Sequence, residues 1–518
     1  MATRPNIVLF VSDQQQWQSI CGRSPARSPH LSRLAQEGLR FERCYATVAL
    51  CCPSRAALIS GQWPYHNGIL NQVHVPERTR WDMEPDVITY SQRLREAGYR
   101  LGYVGKWHAS WRRTPLDFGF HDLRAPTGCS PENMRALREA GRLDDDDDVG
   151  AHRRRLGIAN YAANVEQEGA ITWPGEHEAH VLYGVDHNPE EATRAHFETG
   201  HGIRLIERYA AGDQPWFVTI NVVEPHDPYL PLAEYARHYD PREVELPESW
   251  YDTVHEGKPN LLKREAQIWE QLTEAQYRAA LARYYAFCEQ VDAQVGRVME
   301  ALERTGQAER TLVVFTTDHG DMVGAHRLFI KGWEPYEETY RLPLVARWPA
   351  GIAPGGVCEH VVQLHDLAHT VVEVAGAEPI QPPGDADGRS LAPLFRQPAL
   401  QAVEGSCWSG TGPALGDGRD GTWEDTAFCM YYGGEFLYTQ RMVVTRRYKY
   451  VFNAFDFDEL YDLQEDPSEL RNLADDPAHQ GTADALRERL YALMARHDDP
   501  YGTNRYGAPR YLRRPSSR

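Results

Sequence analysis

The stretch from residue 311 to residue 321 reads TLVVFTTDHGD. Its first seven residues are apolar or β-branched, the composition of a buried strand. It then breaks into Asp318 and His319, whose value is chemical rather than structural. Three further runs have the same plan. NIVLFVSD (6–13) ends in Asp13, YRLGYVGKWH (99–108) ends in Lys106 and His108, and PWFVTINVVEPH (215–226) ends in His226. Helix-like stretches lie between them. SPHLSRLAQEGLRF (28–41) opens with a Ser cap and a Pro, and its apolar residues fall three and four apart. Residues 273–306 form a long amphipathic pattern ending in Gly306. Strands alternating with helices predict an α/β fold, a large, mostly parallel sheet covered by helices on both faces. Ligands of such sheets bind outside the carboxyl ends of the strands. The four polar endings should therefore converge on one rim.

Bulk properties narrow the function classes. Of 518 residues, 42% are hydrophobic and 25% charged, as in water-soluble globular proteins. The net charge is −19, from 55 basic and 74 acidic side chains, which argues against nucleic acid as a partner. An anionic substrate must then meet a local basic pocket rather than a global field. The nine cysteines are odd in number and scattered, which suits a reducing compartment. No segment approaches the roughly 18 apolar residues of a membrane span. NIVLFV, beginning at residue 6, is shorter than a secretory core of about 7–15 residues. These features give a cytoplasmic expectation, with no membrane partner.

The organisation changes along the chain. Residues 124–200 are polar and irregular and include DDDDD at 144–148, which reads as a solvated insertion. QPPGDADG (381–388) reads as a loop. After about residue 400, FLYTQRMVVTRRYKYVFN (436–453) and DELYDL (458–463) predict a small antiparallel sheet, and ADALRERLYALMARHD (483–498) a closing helix. The expected division is a catalytic domain over 1–400, a small sheet-plus-helix subdomain over 401–500, and a basic tail over 501–518. That tail, basic on an acidic protein, is expected to dock on a neighbouring copy and so to support a homo-oligomer.

LCCPSRAALISGQ (50–62) places adjacent thiols at the start of a helix. Neighbouring residues rarely meet the geometry of a relaxed disulfide. Cys51 at a helix N-terminus faces a field that favours an anion. Arg55 follows one turn along the same face. A small buried hydrophobe and a nucleophile are both open readings of such a cysteine.

In context, Cys51-Cys52-Pro53-Ser54-Arg55 resembles the Cys-x-Pro-Ser-Arg signature of the formylglycine-dependent sulfatases, in the alkaline-phosphatase superfamily. The neighbouring segments resemble the same family in order. They are RPNIVLFVSDQQ (4–15), LISGQWPYHNGI (58–69), GKWH (105–108), EPHDPY (224–229), TTDHGDMVGAHRLFIKG (316–332), YEETYRLPL (336–344) and ELYDLQEDPSELRNLA (459–474). The resemblance implies that a formylglycine-generating maturation enzyme oxidises Cys51 to an aldehyde, which hydrates to a geminal diol. One hydroxyl attacks the sulfur of a small-molecule or saccharide sulfate ester and expels the alcohol. The second loses its proton, and sulfate departs as the aldehyde returns.

The resemblance further implies a divalent metal held by Asp13, Gln14, the residue at 51, Asp318 and His319. Gln14 departs from the pattern, because many sulfatases carry a second Asp there. Calcium is the expected ion, with manganese or magnesium as alternatives because His319 adds a nitrogen. Arg55 should steady the diol, Lys106 bind a sulfate oxygen, and His108 take the second proton. His226 and Lys331 should face the leaving-group oxygen, one of them as general acid. Asn71 and His326 fall beside the motifs and could serve pocket or packing, whereas Trp107 reads as packing. A phosphonate monoester hydrolase or phosphodiesterase using the same formylglycine site is the alternative activity.

Overall fold

The computed structural model describes residues 4–75, 80–253, 255–382, 386–397, 401–403, 422–433, 438–454 and 456–503. Eight strands form the main sheet. They are β1 (Asn6–Ser12), β2 (Leu39–Tyr45), β3 (Arg100–Lys106), β4 (Asp122–Thr127), β5 (Trp216–Asn221), β6 (Thr311–Thr317), β7 (Arg341–Arg347) and β8 (Gly356–Gln363). Their spatial order is β8-β2-β7-β6-β1-β5-β3-β4. Only β7 runs against its neighbours, antiparallel to both β2 and β6. The four strands anticipated from their apolar runs occupy the middle, where both faces are covered.

Both faces of β1 are buried. Val8 and Phe10 pack with the helices Pro29–Gln36, Arg194–Ala210 and Glu274–Arg304 on one side. Ile7, Leu9 and Val11 pack with the helices Cys51–Ser60, Tyr90–Glu96 and Asp366–Val374 on the other. A continuous apolar run is what such a strand requires. Parallel pairing also aligns the strand ends. Ser12 lies opposite Thr317, Val11 opposite Asn221, and Asn221 opposite Gly105. The residues that follow therefore emerge side by side. Gly105 is needed there: at φ 83° a Cβ would stand 2.0 Å from the Asn221 carbonyl oxygen.

Two expectations need correction. The helix in 28–41 ends at Gln36, and Leu39–Tyr45 is β2, because its alternating pattern pairs it between β7 and β8. Nor is 124–200 a single solvated insertion. It begins within β4 and ends within the helix Arg194–Ala210, whose Phe197, Leu205 and Ile206 face the sheet core. The stretch between these is more exposed and carries a hairpin of Val165–Ile171 with His180–Asp186.

A smaller antiparallel sheet follows, of β9 (Ala427–Tyr431), β10 (Gln440–Val444), β11 (Tyr448–Asn453) and β12 (Glu459–Asp462). The helix Gln480–Arg496 packs on it. Phe428, Tyr450, Leu460 and Leu490 share one apolar cluster with Trp269, Tyr284 and Phe329 of the larger part. The expected division near residue 400 and the tail from Asn504 onward fall on or beside residues outside those described. No helix among the described residues is long and apolar enough to cross a membrane.

Candidate active site

Helix Cys51–Ser60 begins at the reacting position and is buried along its whole length. Gly61, left-handed at φ 67°, closes it by donating its N–H to the Ala57 carbonyl at 2.8 Å. Cys51 is 2% exposed. Its sulfur stands where the resemblance puts an aldehyde-derived oxygen, 3.1 Å from His319 Nε2 and 3.9 Å from Asp13 Oδ1. Ligand atoms of Asp13, Cys51, Asp318 and His319 all lie within 4.8 Å of one another, and all four residues are buried. His319 Nδ1 faces the Gly320 carbonyl at 2.9 Å, which assigns that nitrogen the proton and leaves Nε2 for a cation. Two carboxylates, one imidazole nitrogen and the atom at 51 form a donor set suited to a divalent ion. The residues thus fit the metal that the fold family implies.

Cations lock the carboxylates in place. Arg55 donates from Nε to Asp318 Oδ2 at 2.7 Å and from Nη2 to Asp13 Oδ2 at 3.2 Å. Lys106 Nζ makes a short ion pair with Asp13 Oδ2. Burial alone would raise the Asp13 carboxyl, but Lys106 and Arg55 hold it well below the usual range. The adjacent thiols diverge for a related reason. Burial opposes ionisation of Cys51, yet Lys106, His319 and Lys331 outweigh it and hold that thiol well below its ordinary value. Burial, joined by the Cys51 charge, pushes Cys52 far up.

A cavity of about 760 Å³ opens above this cluster, lined by Cys51, Lys106, His108, His226, Lys331 and further residues. His108 is left-handed at φ 51°, and its Nδ1 is buried without a hydrogen-bond partner. Burial and then Lys106 push its imidazole down to about 4, so it is neutral near pH 7. Gly128 makes room for this ring, since a Cβ there would stand 2.2 Å from His108 Cδ2. Across the cavity, His226 Nδ1 donates to the Asp227 carbonyl at 2.7 Å, and its Nε2 lies 2.7 Å from Lys331 Nζ. Burial and Lys331 press the His226 imidazole down, but Asp227 and other partners give a net upward shift.

Gln14 lies at the end of β1, and its amide meets Asp227, Asp321 and Lys331. The structure therefore brings Asp13, Gln14, Cys51, Arg55, Lys106, His108, His226, Asp318, His319 and Lys331 around one strand-end rim. His326 instead packs flat on Tyr336, with ring centres 4.0 Å apart, and accepts a contact from Lys258. Trp107 is packing, as expected, wedged against Tyr103 and Phe118. Asn71 is buried at 5% exposure.

Sequence reasoning missed several neighbours. Asp227 and Asp321 were inside the quoted motifs, one and two residues from named positions, and that adjacency was the available signal. Gln72 accepts the Cys52 N–H at 3.2 Å, and His74 stacks on His108 at 4.9 Å between ring centres. Nothing in their sequence context marks either one.

The comparisons agree with this geometry. The sulfatase family model matches residues 5–149 and 172–377, and a model described as N-sulphoglucosamine sulphohydrolase, C-terminal, matches 324–496. The chain is similar to the uncharacterized sulfatase YidJ of Escherichia coli (strain K12), 27% identical and covering 96% of this chain and 88% of that one. It is also similar to the choline-sulfatase of Rhizobium meliloti (strain 1021), 27% identical over 94% of this chain and 86% of the other. Among solved structures, the phosphonate monoester hydrolase SpPMH from Silicibacter pomeroyi shares the fold. Its TM-score is 0.73 at 23% identity, covering 95% of this chain and 96% of that one. The chain belongs to the sulfatase family, the sulfuric ester hydrolases.

Proposed function

We propose that this chain hydrolyses a small-molecule or saccharide sulfate monoester to an alcohol and sulfate, with the residue at position 51 as nucleophile after its conversion to formylglycine. The observation that carries the reading is the meeting of Asp13, Cys51, Asp318 and His319 at the floor of a cavity walled by Lys106, His226 and Lys331. Formylglycine at 51, as its hydrate, supplies a nucleophilic hydroxyl and a second hydroxyl whose deprotonation releases sulfate. A divalent ion held by Asp13, Asp318, His319 and the residue at 51 supplies Lewis-acid activation of that nucleophile. Calcium is the proposed ion, and elemental analysis would show whether manganese or magnesium takes its place.

The remaining work falls to the chain's own side chains. Arg55 bridges Asp13 and Asp318, fixing the two carboxylates that face the ion. Lys106 lines the cavity and steadies the sulfate oxygens. Neutral His108, on the cavity wall, receives the second proton from position 51. Lys331 Nζ and His226 Nε2 face each other at 2.7 Å, so the pair shares one proton along that edge. We assign delivery of that proton to the departing alcohol oxygen to His226, with Lys331 as its alternate holder. The free thiols of the described cysteines suit a reducing, cytoplasmic compartment.

Two measurements test the reading. Mass spectrometry of the tryptic fragment containing Cys51 should find the aldehyde in active protein made alongside a maturation enzyme. Finding only thiol in fully active protein would overturn the nucleophile. A panel of sulfate esters should then be turned over faster than an aryl phosphonate monoester. The Asp13-Gln14 pair resembles the one some phosphonate monoester hydrolases carry at the first strand, which gives a second reading as such a hydrolase, and faster phosphonate turnover would select it.

A further inference from the structure

Gln14 is fully buried and left-handed at φ 63°, a conformation that is uncommon for a residue with a side chain. Its amide touches three charged groups. Nε2 donates to Asp227 Oδ1 at 2.9 Å and also to Asp321 Oδ2, while Oε1 accepts from Lys331 Nζ. Charge fixes this orientation. The flipped amide would set its oxygen against two carboxylates and its NH2 group against an ammonium. Asp321 is itself anchored, accepting from the Tyr229 hydroxyl at 2.6 Å and from the Val323 N–H at 3.0 Å. Tyr229 is wholly buried and packs against Tyr284. A continuous line thus runs from the core to the cavity: Tyr229, Asp321, Gln14, Lys331, His226.

The position of Gln14 suggests a metal ligand, but both polar ends of its amide are already committed. A carboxylate at position 14 would be a third acid beside Asp227 and Asp321 and would have no donor for either. An amide satisfies the two acids and the ammonium at once. We propose that Gln14 is a positioning residue for the Lys331–His226 pair, held by Asp321 and Tyr229, and that the cation binds without it. This rests on the reading of Lys331 and His226 as the leaving-group side of the site. Gln14 Oε1 keeps a second lone pair, so metal content must be measured directly alongside rates.

The test uses matured Gln14→Leu and Gln14→Glu proteins. Elemental analysis gives bound metal, and kcat/KM is taken on 4-nitrophenyl sulfate and on an alkyl sulfate. The nitrophenolate leaves without a proton, and the alkoxide does not. Gln14→Leu should keep the wild-type metal content while losing at least about tenfold more rate on the alkyl ester than on the aryl ester. Gln14→Glu should not rescue that selectivity, although it keeps an oxygen able to bind metal. Tyr229→Phe, which removes one hydroxyl from the far end of the line, should move selectivity in the same direction. It also carries the test if neither Gln14 variant folds. Loss of the ion in Gln14→Leu, or equal slowing of both esters, overturns the role, as does unchanged selectivity in Tyr229→Phe where that variant must stand alone. His226→Ala and Lys331→Ala separate the two levels. If either discriminates between the esters and Gln14→Leu does not, only the role of Gln14 fails. If neither discriminates, the leaving-group assignment fails and takes the role of Gln14 with it.

Discussion

Around Cys51, the Asp13 and Asp318 carboxylates are met by Arg55 and Lys106, and all four residues are at most 5% exposed. Around His226, by contrast, an ammonium and an imidazole share one edge, and the His226 side chain stays 22% exposed. The first half is charge-balanced before any ligand arrives, with Asp13, Lys106 and Asp318 at aligned strand ends and Arg55 reaching them from the helix Cys51–Ser60. In the second half, the Lys331–His226 edge opens to the cavity. The difference teaches that the two halves should fail differently. Damage to the first should stop every substrate, and damage to the second should sort substrates by their leaving groups.

The largest effect should come from the first half. Asp318→Ala should remove bound metal and slow every ester by at least about 10⁴-fold, the scale of losing a member of an interdependent catalytic set. Retained metal with near-normal turnover would break the contrast. Next, Lys106→Ala and His226→Ala sharpen it. Lys106→Ala should slow aryl and alkyl sulfates by similar factors, since the sulfate is common to both. His226→Ala should cost about 10²–10⁴-fold on the alkyl ester and far less on the nitrophenyl ester. Matching profiles for the two variants would erase the distinction between the halves.

A smaller effect concerns pH. In protein still carrying the Cys51 thiol, burial would lower His319, but Asp318 and Cys51 outweigh it and hold the imidazole at about 9. A cation must displace that proton from Nε2. Metal affinity, measured by calorimetry, should therefore rise about tenfold per pH unit up to about 9 and flatten above it. A flat profile from pH 6 to pH 9 would mean that His319 is not titrating with binding. The smallest effect on turnover should be that of Cys52→Ser. Cys52 is wholly buried, its N–H donates to Gln72, and its sulfur lies 4.0 Å from His74 Nδ1, outside the Asp13–Cys51–Asp318–His319 cluster. The variant should lose roughly 1–3 kcal/mol of stability to a buried hydroxyl and keep near-normal turnover, read by denaturant melts and initial rates.

Legibility in the sequence followed burial on both faces. β1, β3, β5 and β6 carry unbroken apolar runs because helices cover them on both sides, and each run ends where chemistry begins. β2 was hidden because LRFERCY alternates and follows the helix after only Glu37 and Gly38. β4 was hidden because DLRAPT has no apolar run at the sheet's edge. The site was legible where motifs supplied charge at strand ends. Gln72 and His74 were not, and Asp321 was marked only by its place inside a motif, because their roles arise from contacts with partners tens or hundreds of residues away. Asp321 meets Gln14 across 307 positions, and no local pattern records that.

The depth of Cys51 has a consequence for the order of events during synthesis. A protein acting on Cys51 would need to reach the backbone around it, yet the whole helix Cys51–Ser60 is buried, and the cavity above Cys51 holds about 760 Å³, room for an ester but not for a protein. Under the proposed function, oxidation of Cys51 therefore belongs to the chain before this sheet has closed. The strand end that covers the thiol with His319 is made 268 residues later. At translation speeds of about 5–20 residues per second, that leaves roughly 13–54 s in which the thiol is reachable on the nascent chain. Chain order itself sets a clock, and a chain that folds past it buries Cys51 as a thiol.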